Sequence, residues 1–205
     1  MMNYLVPFLA YLIGSIPFGL LITMIAGQGD IREIGSGNIG ATNVLRTGKK
    51  SLAALTLVCD MLKGTAAVLL AYLVSPQAAI AAGLCALIGH LYPVWLKFKG
   101  GKGVATMLGV MLGLSWPAAI ITMLLWLISA VILRISSASA LIATAALPII
   151  VTTLGRSDLL IVSSLIAILI YYKHAANIKR LLRGCEPKIG EKKKGNGDNA
   201  AATAE

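Results

Sequence analysis

The sequence is short of most of what a soluble enzyme uses to stay in water. Only 13% of its 205 residues are charged, where soluble domains carry about 25%. Acids are scarcest, with eight Asp and Glu against 18 Lys and Arg, for a formal charge of +10. There are two histidines and three cysteines, Cys59, Cys85 and Cys185. The cysteines form no Cys-x-x-Cys pair and are odd in number, which argues against a disulfide framework or a zinc site. Asp60 has no second carboxylate or histidine at ligand spacing, so no metal is expected. Sustained apolar–polar alternation is also missing, which argues against a transmembrane barrel. What is present is 58% apolar residues, in continuous blocks separated by short basic stretches. That pattern excludes a cytosolic globule, a disordered chain and a secreted disulfide scaffold, and predicts an all-α integral membrane protein.

A span needs about 20 apolar residues. Leu5 to Ile25 is the first such run, and with no basic stretch before it, it reads as a retained helix rather than a cleaved signal. Leu52 to Val74 follows, interrupted by Asp60 and Lys63, and then Ala78 to Leu96. Val104 to Leu133 is 30 residues long and contains Ser115-Trp116-Pro117; Ala138 to Leu154 and Leu159 to Tyr172 complete the set. Charge decides whether the long stretch is one segment or two. Split near Pro117, it makes seven transmembrane helices and puts 16 of the 18 basic residues on one side, leaving Arg156 opposite and Lys63 within a helix. Unsplit, it divides them 8 against 9. The cytoplasmic side carries the Lys/Arg excess, so seven spans are expected, with the N-terminus periplasmic and the C-terminus cytoplasmic. The fourth, Val104 to Leu114, would then be only about 16 Å long at 1.5 Å per residue, and needs a protein-lined setting or an end that sits deep. Residues 1–187 are expected to form one polytopic membrane domain and 188–205 a basic, disordered cytoplasmic tail.

Polar residues gather in four clusters on the expected cytoplasmic face. Gly35-Ser36-Gly37-Asn38-Ile39-Gly40-Ala41-Thr42-Asn43-Val44-Leu45-Arg46 spells G-x-G-x-x-G without a preceding strand, which excludes a dinucleotide fold. Its glycines can still turn backbone N–H groups towards an anion, with Ser36, Asn38, Thr42 and Asn43 as neutral donors and Arg46 as a bidentate one. Asp60 and Lys63 share a helical face, roughly 14 Å beyond Ser51, where charge usually marks an inward-facing functional cavity. Gly89-His90-Leu91-Tyr92-Pro93 leads to Phe98-Lys99-Gly100-Gly101-Lys102-Gly103, where Gly100, Gly101 and Gly103 bracket Lys102 just before a helix, a natural anion site. In the segment from Lys173 to Glu186, helical spacing puts Lys173, Asn177, Arg180 and Gly184 on one face, with His174 beside Asn177. Two anion cradles suggest two phosphorylated groups, at least one of them on a lipid.

These motifs resemble the bacterial acyl-phosphate-dependent glycerol-3-phosphate acyltransferases, the PlsY family. The resemblance rests on the run from Gly35 to Arg46, on Asp60-x-x-Lys63-Gly64, and on Gly89-His90-x-x-Pro93 with Phe98 to Thr106. It extends to His174-x-x-Asn177-Ile178-x-Arg180-Leu181 with Gly184 and Glu186, and covers residues from about 5 to 190. It implies a seven-helix fold in the bacterial inner membrane, with a site facing the cytoplasm. It also implies transfer of an acyl group from acyl phosphate to the 1-hydroxyl of sn-glycerol 3-phosphate, without a cofactor. Substrates and membrane lipids are then the expected partners, with no nucleic acid; the oligomeric state stays open, a monomer being one reading.

Ser36, Lys102 and His174 are the catalytic candidates. Lys102 and the Gly100–Gly103 backbone are assigned to one substrate phosphate. Ser36, Gly37, Asn38, Thr42, Asn43 and Arg46 are assigned to the other phosphate or the reacting carbonyl. His174 and Asn177 would orient glycerol 3-phosphate with Arg180 nearby, His90 would contact substrate, and Lys63 would neutralise the leaving phosphate. The base is either His174 or a phosphate oxygen of the donor. A transporter of a phosphorylated lipid precursor is the rival reading; it needs polar residues leading to the outer face, where the loops hold only Arg156 and Asp158.

Overall fold

A computed structural model describes residues 2–190; from residue 191 on, the expectation of a disordered tail lies outside the described residues. The chain is helical throughout, with no strand among the described residues. The helices are α1 (Met2–Gly14), α2 (Phe18–Ile25), the single-turn α3 (Ala41–Val44), α4 (Lys50–Tyr72), α5 (Pro76–Leu91), α6 (Val104–Leu114), α7 (Trp116–Leu133), α8 (Ser136–Thr153), α9 (Leu160–Lys173) and α10 (Ala175–Leu182).

Five segments are long and apolar enough to cross a membrane: Leu5–Ile25, Lys50–Tyr72, Pro76–Leu96, Trp116–Leu133 and Ser136–Thr153. A sixth is counted when Ser157–Lys173 and the following α10 are taken together, although the two meet at a 64° bend. We take Lys173 as the end of that span, with His174 at the bend outside it. Side-chain placement is that of a membrane protein. Leu73, Val131, Ile132 and Ile161 are among the most exposed residues of the chain, as lipid-facing positions should be.

The first apolar run is not one helix. It breaks at Ser15-Ile16-Pro17, where Pro17 has no N–H to continue the helical ladder, and within the break the carbonyl of Ile16 accepts from Lys63 Nζ. α6 has 11 residues, and the unbroken buried run from Thr106 to Met111 shows why so short a helix is tolerated. It is wrapped by α4, α5 and α7 rather than by lipid. Close approach depends on small residues, as is usual between membrane helices: a Cβ on Gly109 would fall 1.9 Å from the Met61 carbonyl oxygen of α4. Val68, Leu87, Met107, Val110, Met111, Ile166 and Ile170 form the buried centre around α6. A smaller cluster of Leu20, Ile31, Ile39, Val44 and Ala53 holds the 31–47 loop against α2 and α4.

Candidate functional site

The four sequence clusters resolve into two groups, one closed and one open. The closed group lies within the helices. Lys63 Nζ meets Asp60 Oδ1 at 2.7 Å, the Ile16 carbonyl at 2.8 Å and His90 Nδ1 at 2.9 Å. All three side chains are buried. An ammonium only donates, so His90 Nδ1 accepts and Nε2 carries the ring proton. The far edge of that ring lies where a side chain on Gly101 would be: a Cβ there would stand 2.0 Å from Nε2. The sequence reading gave Lys63 the leaving phosphate and His90 a contact with substrate; the structure sets both side chains among protein groups. Lys63 has three protein partners for its three protons, and His90 stands behind the glycine loop.

The glycine loop, assigned in the sequence reading to a substrate phosphate, has two of its amides bonded within the protein. The Gly100 N–H donates to the Leu91 carbonyl and the Gly101 N–H to the His90 carbonyl, at 3.2 and 3.0 Å. These two glycines are small because His90 and Pro93 crowd them, and their amides are taken. Gly103 differs: its φ of +86° suits glycine, and it turns the chain into α6 directly after Lys102. The first-turn amides of α6 have no partners within the helix, so the helix presents a partial positive charge beside the Lys102 side chain.

The open group gathers round Lys102. Lys102 Nζ donates to Asn177 Oδ1, and Asn177 Nδ2 donates to Glu186 Oε1. Ser137 Oγ also donates to Glu186 Oε1, and Arg180 Nε to Oε2, both at 2.6 Å. Burial pushes Lys102 down to about 8; Glu186 pulls against this, while Arg180 and Arg46 add to it. Burial alone would raise the Glu186 carboxyl, but the hydrogen bonds from Ser137, Asn177 and Arg180 hold it below the usual carboxylate range. His174 is buried at the bend, and its Nδ1 lies 2.8 Å from the Ile170 carbonyl. A carbonyl accepts, so Nδ1 carries the proton and Nε2 is the bare nitrogen of the neutral ring. Burial pushes this imidazole down to about 4, with the Lys102 ammonium adding to the effect.

The 35–46 loop closes one side of this group. Asn43 is buried and is the brace of the loop rather than a free donor. Its Nδ2 donates to the Ile31 and Ile34 carbonyls, both at 2.9 Å, and its Oδ1 accepts from the Ser36 N–H, the Ser36 hydroxyl and Arg46 Nη1. Asn38 Oδ1 accepts from the Gly40 N–H. Gly37 bonds back through its amide to Ile34. Ser36, Gly37, Thr42 and Arg46 are exposed on the rim, and Thr42 Oγ1 lies 3.4 Å from Ser136 Oγ, tying the loop to the start of α8. Lys173 donates to the Leu91 carbonyl and lies over the Tyr92 ring at 4.5 Å, pinning α9 to the end of α5.

Two residues of the open group, Glu186 and Ser137, were given no role in the site by the sequence reading, although Glu186 stands in the segment that carries the resemblance and Ser137 among the donors after Arg134. A signal for the first existed: Glu186 is the only acid between Asp158 and Glu191, in the most basic part of the chain. Among the described residues, no group of three or more His, Cys, Asp or Glu is placed to hold a metal.

Apolar helices with one cluster of cations at their ends, and a neutral imidazole and hydroxyls beside it, define a class: an integral membrane protein fitted for phosphorylated ligands. Comparison narrows this. The family model for glycerol-3-phosphate acyltransferase matches residues 4–184, and the chain belongs to that family. Curated glycerol-3-phosphate acyltransferases from Brucella anthropi and Bradyrhizobium diazoefficiens are 56% and 57% identical to it. They align over 89% and 90% of this chain and 90% and 93% of their own. The crystal structure of PlsY, an integral membrane glycerol 3-phosphate acyltransferase, in its glycerol 3-phosphate form, superposes with a TM-score of 0.87. Identity is 38%, over 93% of this chain and 96% of that one. Its lysophosphatidic acid form gives 0.85 and 36%, over 92% and 95%.

Proposed function

We propose that this protein transfers a fatty acyl group from acyl phosphate to the 1-hydroxyl of sn-glycerol 3-phosphate, releasing 1-acyl-sn-glycerol 3-phosphate and inorganic phosphate. The observation that carries the reading is the chain Lys102–Asn177–Glu186–Arg180, with Arg46 near enough to act on the Lys102 charge, in a member of this family. Three cations against one acid leave charge for two phosphorylated substrates. The half-buried pocket of Lys102, His174, Asn177 and Arg180 suits the small, polar acceptor. The exposed rim with Ser36 and Arg46 suits the donor, whose acyl chain must run out between helices into lipid.

The hydroxyl oxygen of the acceptor attacks the acyl carbonyl carbon, the bond from that carbon to the phosphate oxygen breaks, and phosphate leaves with the electron pair. The donor is already an activated anhydride, so Ser36 serves as a hydrogen-bond donor and no acyl-enzyme is formed. Positioning and stabilisation of developing negative charge supply the acceleration. For the proton we favour a phosphate oxygen of the donor over His174. An imidazole pushed down to about 4 is a weak base, whereas the donor's phosphate oxygens gain basicity as the carbon–oxygen bond breaks and inorganic phosphate forms. The bare Nε2 of His174 then accepts a hydrogen bond from the acceptor and aims it.

In the membrane we propose seven crossings, with α6 as a short fourth one inside the protein, the N-terminus periplasmic and the recess facing the cytoplasm of a bacterial inner membrane. The test is to incubate purified protein in detergent with palmitoyl phosphate and glycerol 3-phosphate, with acyl-CoA as the parallel donor. Phosphate released in step with lysophosphatidate, from acyl phosphate only, is the expected result. No product from folded protein overturns the reading, and product from acyl-CoA overturns the choice of donor.

A further inference from the structure

After α10 the chain does not leave the site. Gly184, at φ +67°, ends the helix and turns it back. The Cys185 N–H bonds the Arg180 carbonyl at 3.0 Å, and the Ile189 N–H bonds the Arg134 carbonyl at 2.7 Å, where α7 gives way to α8. The segment is thus a strap tied at both ends, with Glu186 at its middle. The Glu186 side chain is only 7% exposed.

We propose that Glu186 is a positioning residue of the acceptor pocket: by fixing the amide of Asn177 it sets where the Lys102 ammonium stands. The argument is one of hydrogen-bond sex. An ionised carboxylate only accepts and an ammonium only donates. Asn177 lies between one of each, so a single orientation of its amide satisfies both, Nδ2 towards Glu186 and Oδ1 towards Lys102. Ser137 and Arg180 hold the carboxylate from the other sides, so it cannot turn away without losing two further bonds. A neutral amide at position 186 could present either end to Asn177, and the orientation would no longer be enforced.

The inference deepens the acyltransferase reading and rests on it. It also has a signature that a merely structural contact lacks. The charged groups around Lys102 are Glu186 on the strap, Arg180 on α10 and Arg46 on the loop after α3, with neutral His174 alongside. Glu186 is the only one of them that favours the ammonium. Removing its charge therefore moves the loss of the Lys102 proton to lower pH.

The experiment compares wild type with Glu186→Gln and Glu186→Asp, in detergent, across pH 6 to about 9.5, a window set to bracket the lowered Lys102 value. Melting curves are recorded beside the kinetics. For E186Q the expected result is a KM for glycerol 3-phosphate raised about tenfold or more, the scale of one charged hydrogen bond. The alkaline limb of kcat/KM should also move down by about one pH unit. E186D keeps the charge one methylene further from Asn177, so its KM should rise while its alkaline limb stays near that of wild type. Wild-type KM and wild-type limb in a folded E186Q overturn the proposal. If E186Q does not fold, E186D decides alone, and an unchanged KM there overturns it. Wild-type protein that makes no product would instead overturn the acyltransferase reading.

Discussion

Asp60 and Glu186 are, among the described residues, the two acids with buried side chains, and each has drawn basic partners round it, but to opposite ends. The Asp60 cluster is assembled from two long spans and the break in the first apolar run, and its partners face one another. The Glu186 cluster is assembled from the loop before α6, the start of α8, α10 and the strap, and its cations face a recess. Similar groups thus do different work because of what surrounds them. Deep in the helices, a buried pair must be complete, since an unpaired charge there costs far more than the pair contributes. At the mouth, an excess of cations over acids is tolerated because groups that reach solvent, such as Arg46 and Arg180, keep their solvation by water.

The comparison breaks first, and with the largest effect, if Lys63 is changed to Met. Asp60 then keeps its charge without its partner, and a loss of about 3–5 kcal/mol in stability is expected. Combining it with Asp60→Asn should recover part of that loss. Thermal unfolding in detergent, followed by tryptophan fluorescence, measures both. A Lys63→Met protein that melts like wild type but has lost turnover would return Lys63 to the substrate. Lys102→Ala is the matching change at the mouth. It should lower kcat/KM by at least about 10²-fold, as for loss of one donor to developing charge, and leave the melting temperature near that of wild type. His174→Ala should fall in the same range through lost alignment of the acceptor. Near wild-type rates in both, with folding intact, would remove the open group from the reaction.

A smaller effect is expected where the two clusters touch. Gly101 lies against His90 on one side and precedes Lys102 on the other, so Gly101→Ala inserts a methyl group where the ring already stands. Overpacking of this kind costs about 1–3 kcal/mol. Because the displaced loop carries Lys102, activity and stability should fall together, unlike in either of the previous variants. Steady-state kinetics and melting on the same preparation separate the cases.

The spans and the four polar clusters were legible because both are local: a run of apolar residues or a glycine-rich string needs no partner to be seen. The roles of Lys63 and His90 were not. Sequence shows a charge in a span but not the carbonyl of Ile16, 47 residues away, which the break before Pro17 turns towards it. The packing of Gly100 and Gly101 against His90 was hidden for a related reason. A glycine that exposes its amide to an anion and a glycine that makes room for a neighbour's ring look alike in a string. Glu186 meets Asn177 and Arg180 by way of a strap whose fold no periodicity announces, and Ser137 from 49 residues earlier in the chain. The expected seven spans rest on charge, whereas five or six segments meet the length of a span, and α6, with 11 residues, is where the two criteria part.

The finest test of the contrast is the pH profile, because titration reaches the mouth and leaves its geometry intact. Lys102 stands at about 8 in the free protein, lowered by burial and neighbouring cations. It is charged below that value and neutral above it, so phosphate binding through the ammonium should be full at pH 7, halved at about pH 8 and falling tenfold per unit beyond. The profile of kcat/KM reports groups of the free enzyme, so this limb belongs in kcat/KM and should shift upward in kcat, where bound phosphate favours the proton. His174, pushed down to about 4, should leave no limb of its own between pH 5 and 7; an acid limb there would follow the phosphate of the substrate and move when a phosphonate of different pKa replaces it. An alkaline limb of kcat/KM that persists unchanged in Lys102→Arg, whose side chain does not titrate in this range, would assign the limb to another group and take from Lys102 its place as the cation of the recess.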